Sequence, residues 1–465
     1  MGIGRVLDIA VRTMSTYQQA LNVTSNNISN ANNPDYSRQQ IIFASAPSDS
    51  AGGTGVVLQD VVRVRDSMLD KQIYKFQSDN SDSTKRSSVL QQVESIISEP
   101  SDNGLSAYFS SFFNSWSQLT ADPTSSQARL DVIQNAQNLS SRFKDVYDSL
   151  NEEMTSLQKE AVIKVNSINT YLQQINSYNQ KIYQAAGQGL QPNDLMDSRD
   201  ALITQLSQLV NISVQDGPNG TSNVSVAGAQ GADLNSYNQF TIKSINGKMV
   251  LVSQSDPNTS LSLTSGELYA TTDMYSNVIP SYKTSLDNLA NAFISNVNQI
   301  HMQGNTLVQG GASSTGIPFF GQLDGSGNVI NAYSDGLMQI NADIVNNPKN
   351  IAASDTAGND GNGNQANKIA LLADQPISAL GDLSVTDYYS NILNSIGIDK
   401  TNSDNKVQSG TAILQQLQTQ QSSTSGVSLD EEMTQVLKFQ RSYDAASKLI
   451  KVSDEMLQTL LNMVG

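Results

Sequence analysis

The chain has 465 residues, a formal charge of −16 and no cysteine. The acidic balance argues against nucleic acid, whose phosphates call for basic contacts, and against adsorption to an anionic membrane surface; the missing thiols remove disulfides, thiolate catalysis and cysteine-ligated metals. Charged residues make up only 15 % and aromatics 6 %, so the surface is largely neutral-polar and suits an elongated protein with several short cores and tight contacts between copies.

Residues 1–30 lack the basic-then-apolar pattern of a secretory leader, so a place outside the cell requires another export route. They carry instead a stripe of Ile3, Leu7, Ala10, Met14, Tyr17, Leu21, Thr24 and Ile28. Spacings of four and three put these on one face of an amphipathic helix. Ser29, Asn30, Asn32, Asn33 and Pro34 stop that helix. A β-like stretch follows at residues 41–43 and 56–62, divided by Gly52, Gly53 and Gly55. Residues 67–210 read as helical: one run ends at Pro100, a second presents Tyr108, Phe109, Phe112, Phe113, Trp116 and Leu119, and residues 127–185 form a long rod.

At residue 211 the period changes from helical to alternating. Ile212 with Val214, Val224 with Val226, and Phe240 with Ile242 predict strands, joined by 249–252 and 261–263 in a small β domain over residues 211–264. Helix resumes near Tyr282, residues 306–364 read as loops and hairpins, and helical spacing returns at 367–372, 387–396 and 409–424. Ser428 and Glu431 form a capping box that starts the last helix. Its stripe is Met433, Val436, Tyr443, Ala446, Ile450, Leu457, Leu460 and Val464. No run approaches the roughly twenty apolar residues of a membrane-spanning helix.

The fold class is therefore mainly α with an inserted small β domain (α+β), drawn out into a multidomain rod. Residues 1–66 hold the N-terminal helix and extended segment, 67–210 the outgoing helical rod, 211–275 the β domain, 276–408 the returning rod with its loop region at 306–364, and 409–465 the C-terminal helices. The termini are expected to meet at one end and the β domain to sit at the other.

Candidate chemistry is sparse. His301 is the only histidine and has no acidic cluster beside it in sequence, which predicts a structural role. Asp194, Asp197 and Asp200 recur every third residue, a spacing that suits the start of a helix, where acids offset the dipole. The loops at Asp324 and Asp360 lack the glycine of a calcium loop, and the Asp360 loop also has Leu371 in place of the bidentate glutamate; both read as turns. No catalytic, metal or cofactor residues are expected.

Two segments carry a family resemblance. Residues 26–38, with Asn26, Asn27, Ile28, Asn30, Tyr36, Ser37 and Arg38, resemble the signature that follows the first helix of flagellar axial proteins, in the version of the hook-associated protein 1 family. Residues 426–433, with Ser428, Leu429, Glu431, Glu432 and Met433, resemble the start of that family's terminal helix. Residues 193–200, 297–304 and 318–320 are similar to its internal stretches. Asn33-Pro34-Asp35 departs from the glycine usual before the tyrosine. The resemblance implies a non-catalytic, extracellular flagellar subunit at the hook–filament junction, exported by the flagellar type III apparatus without a cleaved signal peptide. It implies paired terminal helices in a coiled-coil-like inner-tube domain. The partners it implies are further copies of itself in a ring, the hook protein, a second junction protein and an export chaperone, with no nucleic acid and no membrane insertion. A distal rod or hook subunit is the near alternative, since it shares both terminal signatures. A surface adhesin or glycan-binding module on a helical stalk is the distant one.

Overall fold

The computed structural model describes residues 3–47, 53–97 and 104–464. The Gly52 and Pro100 breaks lie outside the described residues. Helix α1 (Ile3–Ser29) ends where the asparagine-rich turn begins. A two-stranded antiparallel hairpin follows, β1 (Gln39–Ser45) and β2 (Val56–Arg63), with a register shift between Ile42 and Phe43. The hairpin leans on α1, and α1 packs along the last helix of the chain, residues Leu429–Val464.

From the hairpin the chain climbs through α2 (Ser67–Ile97), turns over α3 (Leu105–Ala121) and returns through α4 (Ser126–Gly187), a helix of 62 residues. At 1.5 Å per residue α4 is about 93 Å long. Ser125 caps it by accepting from the Ala128 N–H. The aromatic face expected at residues 108–119 lies at the centre of a distal core, where Phe109, Phe112, Phe113 and Trp116 pack on Phe293, Phe319 and Phe320. Phe112 meets five other rings at centroid distances of 5.1–6.4 Å, mostly edge-on. That geometry adds to the burial of large apolar surfaces.

Helix α5 (Asn193–Leu209) folds back beside α4 and feeds the β domain. Strands β3 (Ile212–Asp216), β4 (Ser222–Val226) and β5 (Ala229–Ala232) make one antiparallel sheet, and β6 (Phe240–Ile245) pairs with β7 (Lys248–Ser253) in a second. The strand expected at residues 261–263 is absent; only a bridge from Ser260 to Val252 forms there. The domain covers the later half of α4, where Ala161, Val165, Ile168, Leu172 and Ile175 share a core with Val224, Val226, Phe240 and Leu251. Three asparagines on α4 bind strand-domain backbone: Asn169 at Phe240, Asn176 at Asp233 and Asn179 at Ser222.

This position corrects the expectation that the β domain lies at the end opposite the termini. Because α4 ends close to the terminal pair and α5 starts there, the β domain sits beside the termini and the aromatic core occupies the far end. Periodicity within each helix carried no information about that fold-back.

Helix also resumes earlier than the Tyr282 spacing indicates. It starts with α6 (Glu267–Asp273) and passes through one π-helical turn at Met274–Val278 into α7 (Ile279–Gln303). Short hairpins follow, β8 (Gln322–Leu323) with β9 (Val329–Ile330) and β10 (Tyr333–Ser334) with β11 (Leu337–Met338), then α8 (Ala342–Asn346) and α9 (Asn364–Ala370). The next helix, α10, is one unbroken element, Val385–Ser425, where sequence spacing suggests two, so the boundary expected after residue 408 falls inside it. Beyond Ile396 its buried residues are Ser403, Leu414 and Ser425, and Gly410 meets Asn80 of α2 so closely that an added Cβ would stand 2.5 Å from its Oδ1. A seam of small and polar residues leaves no apolar period to read. The final helix, α11, is Leu429–Val464. No helix among the described residues is long and apolar enough to cross a membrane.

Candidate assembly site at the joined chain ends

Asn27, fully buried on the last turn of α1, makes four hydrogen bonds with one amide. Its Nδ2 donates to the Gln39 carbonyl at 2.9 Å and to Glu432 Oε2 at 3.0 Å; its Oδ1 accepts from Tyr36 OH at 2.7 Å and from the Gln39 N–H at 3.0 Å. One side chain thus fixes the turn after α1, the start of β1 and the start of α11. Arg38 completes the closure: its N–H donates to the Ser425 carbonyl at 2.9 Å, and its guanidinium reaches Glu432 and Glu431, each at 3.0 Å.

That last pair alters the expected capping box. Ser428 Oγ accepts from the Glu431 N–H at 3.5 Å, a long contact, and the Glu431 carboxylate turns to Arg38. The helix start is therefore held more by the N-terminal signature than by its own box.

Beneath the signature lies a buried ionic cluster. Ser37 donates through its N–H and hydroxyl to Asp197, at 3.1 and 2.7 Å. Arg63 bridges Asp197 and Asp200, both at 2.8 Å; Arg65 bridges Asp70 and Asp200; Arg199 holds Asp200 and the Gly220 carbonyl of the β domain. Three arginines balance three aspartates, the condition under which buried charge is tolerated. Burial alone would raise the Asp200 carboxyl, but Arg199, Arg65 and Arg63 hold it below the usual carboxylate range. Burial, with Asp194, Asp197 and Glu432 nearby, pushes the Tyr36 phenol well up, so it stays protonated and donating. A cleft of about 590 Å³ opens between the turn at residues 30–37 and the α10–α11 connection.

The aspartates of α5 thus do more than offset a helix dipole. Asp194 stands in the first turn and accepts from Gln39, while Asp197 and Asp200 are the anionic half of the joint. The three-residue spacing marked the face they share. Their partners, Arg63, Arg65 and Ser37, come from more than a hundred residues away, and nothing local signals them.

The stripes are placed as follows. On α1, Ala10 is buried and Ile3, Leu7, Met14, Tyr17, Leu21 and Ile28 are half-buried. On α11, Ala446 is buried, Val436, Tyr443, Ile450 and Leu457 are half-buried, and Met433 and Leu460 are exposed; nothing is described of the Val464 side chain. The buried line of α11 is Glu432, Phe439, Ala446 and Ser453, a strict seven-residue repeat that an apolar-only reading misses because two members are polar. Phe439 packs with Tyr17 and Phe43, each pair of rings 5.9 Å apart, and so clasps α1, β1 and α11 together. Of the signature residues, Ser37 is buried; Asn26, Asn30, Tyr36 and Arg38 are half-buried; Ser428, Leu429 and Glu431 are exposed.

A second apolar face of α11 has no cover. Leu449, Val452, Met456 and Met463 are 46–79 % exposed, whereas Val11 is the one large hydrophobic so exposed on α1. Isolated exposed apolar residues are ordinary; a row along one helix marks a contact surface. Among the described residues no cluster of three or more His, Cys, Asp or Glu could hold a metal.

Known families match this architecture. Residues 7–36 match the family model described as flagella basal body rod protein, and residues 418–463 that described as flagellar basal body rod FlgEFG protein C-terminal. These two segments are the ones the joint ties together, and they define the class: a structural subunit of the flagellum with paired ends. The middle, residues 90–320, matches the flagellar hook-associated protein FlgK helical domain. Flagellar hook-associated protein 1 of Bacillus subtilis is 29 % identical, with 99 % of this chain and 98 % of that protein covered. Its counterpart in Escherichia coli is 25 % identical over 98 % of this chain and 99 % of that one. The solved flagellar hook junction protein FlgK of Burkholderia pseudomallei shares the fold, with a TM-score of 0.60 at 15 % identity over 76 % of this chain and 100 % of that one. The relatives that match this chain over nearly its whole length, the family model of its middle and the solved structure of the same fold are all those of flagellar hook-associated protein 1.

Proposed function

We propose that the chain builds the hook–filament junction by associating with further copies of itself through its terminal helical pair. The observation that carries this reading is the two-faced helix α11. One face is closed by α1, the hairpin and the Asn27–Arg38 network; the other leaves its apolar row open to solvent. Long amphipathic helices are marginal alone and gain stability when a partner covers them. Residues 1–66 together with the chain beyond Gly426 act as the inner-tube unit, and the rest forms the helical body with its β domain. Ile3, Leu7, Ala10, Tyr17, Ala446 and Ile450 hold the subunit's own pair together, while Met433 and Leu460 face a neighbouring copy.

The hook protein, a second junction protein and an export chaperone are the further partners, and type III export is the route; these follow from the family. The subunit is non-catalytic: the carboxylates gathered at the joint are saturated by arginines, leaving no free pair for acid–base work. Matches to rod proteins are confined to the two ends, which favours a junction subunit over a rod or hook subunit.

Deleting residues 429–465 tests the reading. The helical body should keep its fold, seen by circular dichroism and a cooperative melt, while the protein no longer incorporates at the hook tip. Normal incorporation of the truncated chain would overturn it.

A further inference from the structure

His301 closes the C-terminal turn of α7 and is fully buried between Trp116 and Phe319, whose rings lie 6.1 and 5.5 Å away. Both its nitrogens are engaged. Nε2 lies 2.9 Å from the Ala352 N–H, which can only donate, so Nε2 is the acceptor. Nδ1 therefore carries the proton and donates to the Ile317 carbonyl at 2.7 Å. Ile317 and Ala352 stand on either side of the segment that carries β8 to β11 and α8. One neutral ring thus pins both ends of that segment to the helical body.

The charged groups around the ring leave no room for a second proton. Arg129 of α4 is buried nearby and spends its guanidinium on carbonyls, those of Pro123, Pro348 and Ile351. Asp360, which accepts from the Val308 N–H, acts on Arg129 from an exposed turn. Trp116 and Phe319 do not titrate. Protonating His301 would turn Nε2 into a donor facing the Ala352 N–H and would place a cation beside Arg129. Burial first, with Arg129 adding to it against the Ile317 hydrogen bond, pulls the imidazole down to about 4.

We propose that His301 is a proton-sensitive latch: in its neutral form it holds the Ala352 end of the segment that begins at Ile317 against the helical body, and acid releases that end while Phe319 and Phe320, at the segment's other end, stay packed in the aromatic core. The mechanism is linkage. A released segment returns the ring to its ordinary affinity for protons, so every pH unit of acidification below the usual histidine range favours release about tenfold until the closed form is itself protonated.

Since the chain has one histidine, its ring resonances in full-length protein need no assignment. They should titrate near pH 4, and titration near 6.5 would overturn the proposal. Hydrogen exchange supplies the second reading. Between pH 7 and pH 4 the protection factor of the Ala352 amide should fall by about two orders of magnitude, while that of Leu139 in the body of α4 changes little. An equal fall at both amides, or none at Ala352, would sink the latch. In His301→Gln, checked by its melt to be folded, Ala352 protection should no longer depend on pH over this range; an unchanged dependence would also overturn the proposal.

Discussion

The distal core and the terminal pair are both built from helices, yet they are held together by different means. Around α3 and α7 large rings interlock: Trp116, Phe109, Phe112, Phe293, Phe319 and Phe320 are all fully buried. Along α1 and α11 the buried line consists of Ala10, Thr16, Ala20, Thr24 and Asn27 against Glu432, Phe439, Ala446 and Ser453. Small residues bring helix axes close but remove little apolar surface from water. The distal core is therefore closed by its own large side chains, and the terminal pair relies on polar bonds at one end and leaves an apolar row uncovered along its length. That division suits a subunit whose body must be rigid before its ends meet a neighbour.

The comparison breaks most sharply at the core. Trp116→Ala should cost about 4 kcal/mol, the usual range for deleting a buried aromatic, and urea titration should show the midpoint falling accordingly. At the joint, Asp200→Asn leaves Arg63, Arg65 and Arg199 with two carboxylates in place of three. A loss of about 3 kcal/mol is expected, and hydrogen exchange should show it at residues 37–39 and at the start of α11, with α3 unaffected.

Acid separates the two regions by pH. The His301 pKa is lower folded than unfolded, so its contribution is present above the ordinary histidine value and is lost as pH falls from about 6.5 to about 4, about 3 kcal/mol in all. Asp200 is also held low, so its contribution is present above the usual carboxylate range and is lost only as pH falls below about 4. Stability measured at pH 7, 5 and 3 should show the distal loops weakening first and the joint later. The smallest effect on the fold belongs to the outer row of α11. Leu449→Ser or Met456→Ser should change monomer stability by less than about 0.5 kcal/mol and yet abolish incorporation at the hook tip. Unimpaired incorporation would show that this face is not the one neighbours use.

Legibility in the sequence followed the size of the residues doing the packing. The rings of α3 and the alternation at Val224 and Val226 announce their elements because each buries large or β-branched side chains at a regular period, and the stripe of α1 does so through large side chains that are half-buried at a regular period. The middle of α10 does not, since its buried residue there is Ser403 and Gly410 meets Asn80 across the seam. Asn27, Arg38 and Glu432 could be named from the family signature. What they do could not, because Asn27 and Glu432 are 405 residues apart. The same holds for Asp197 with Arg63, and for the fold-back of α5 that brings the β domain beside the termini. These are facts of tertiary contact, and local period is silent about them.

The length of α4 has a mechanical meaning. A strut about 93 Å long, packed at one end beside α5 and at the other in the aromatic core, converts rotation into displacement. A tilt of a single degree at the Arg63–Asp197–Asp200 cluster would carry the far end through roughly 1.6 Å, by the length that helix rise sets. Ten degrees would carry it about 16 Å, more than the width of a helix. A small change of angle at the joint is thus enough to move the aromatic core by many ångströms relative to the terminal pair.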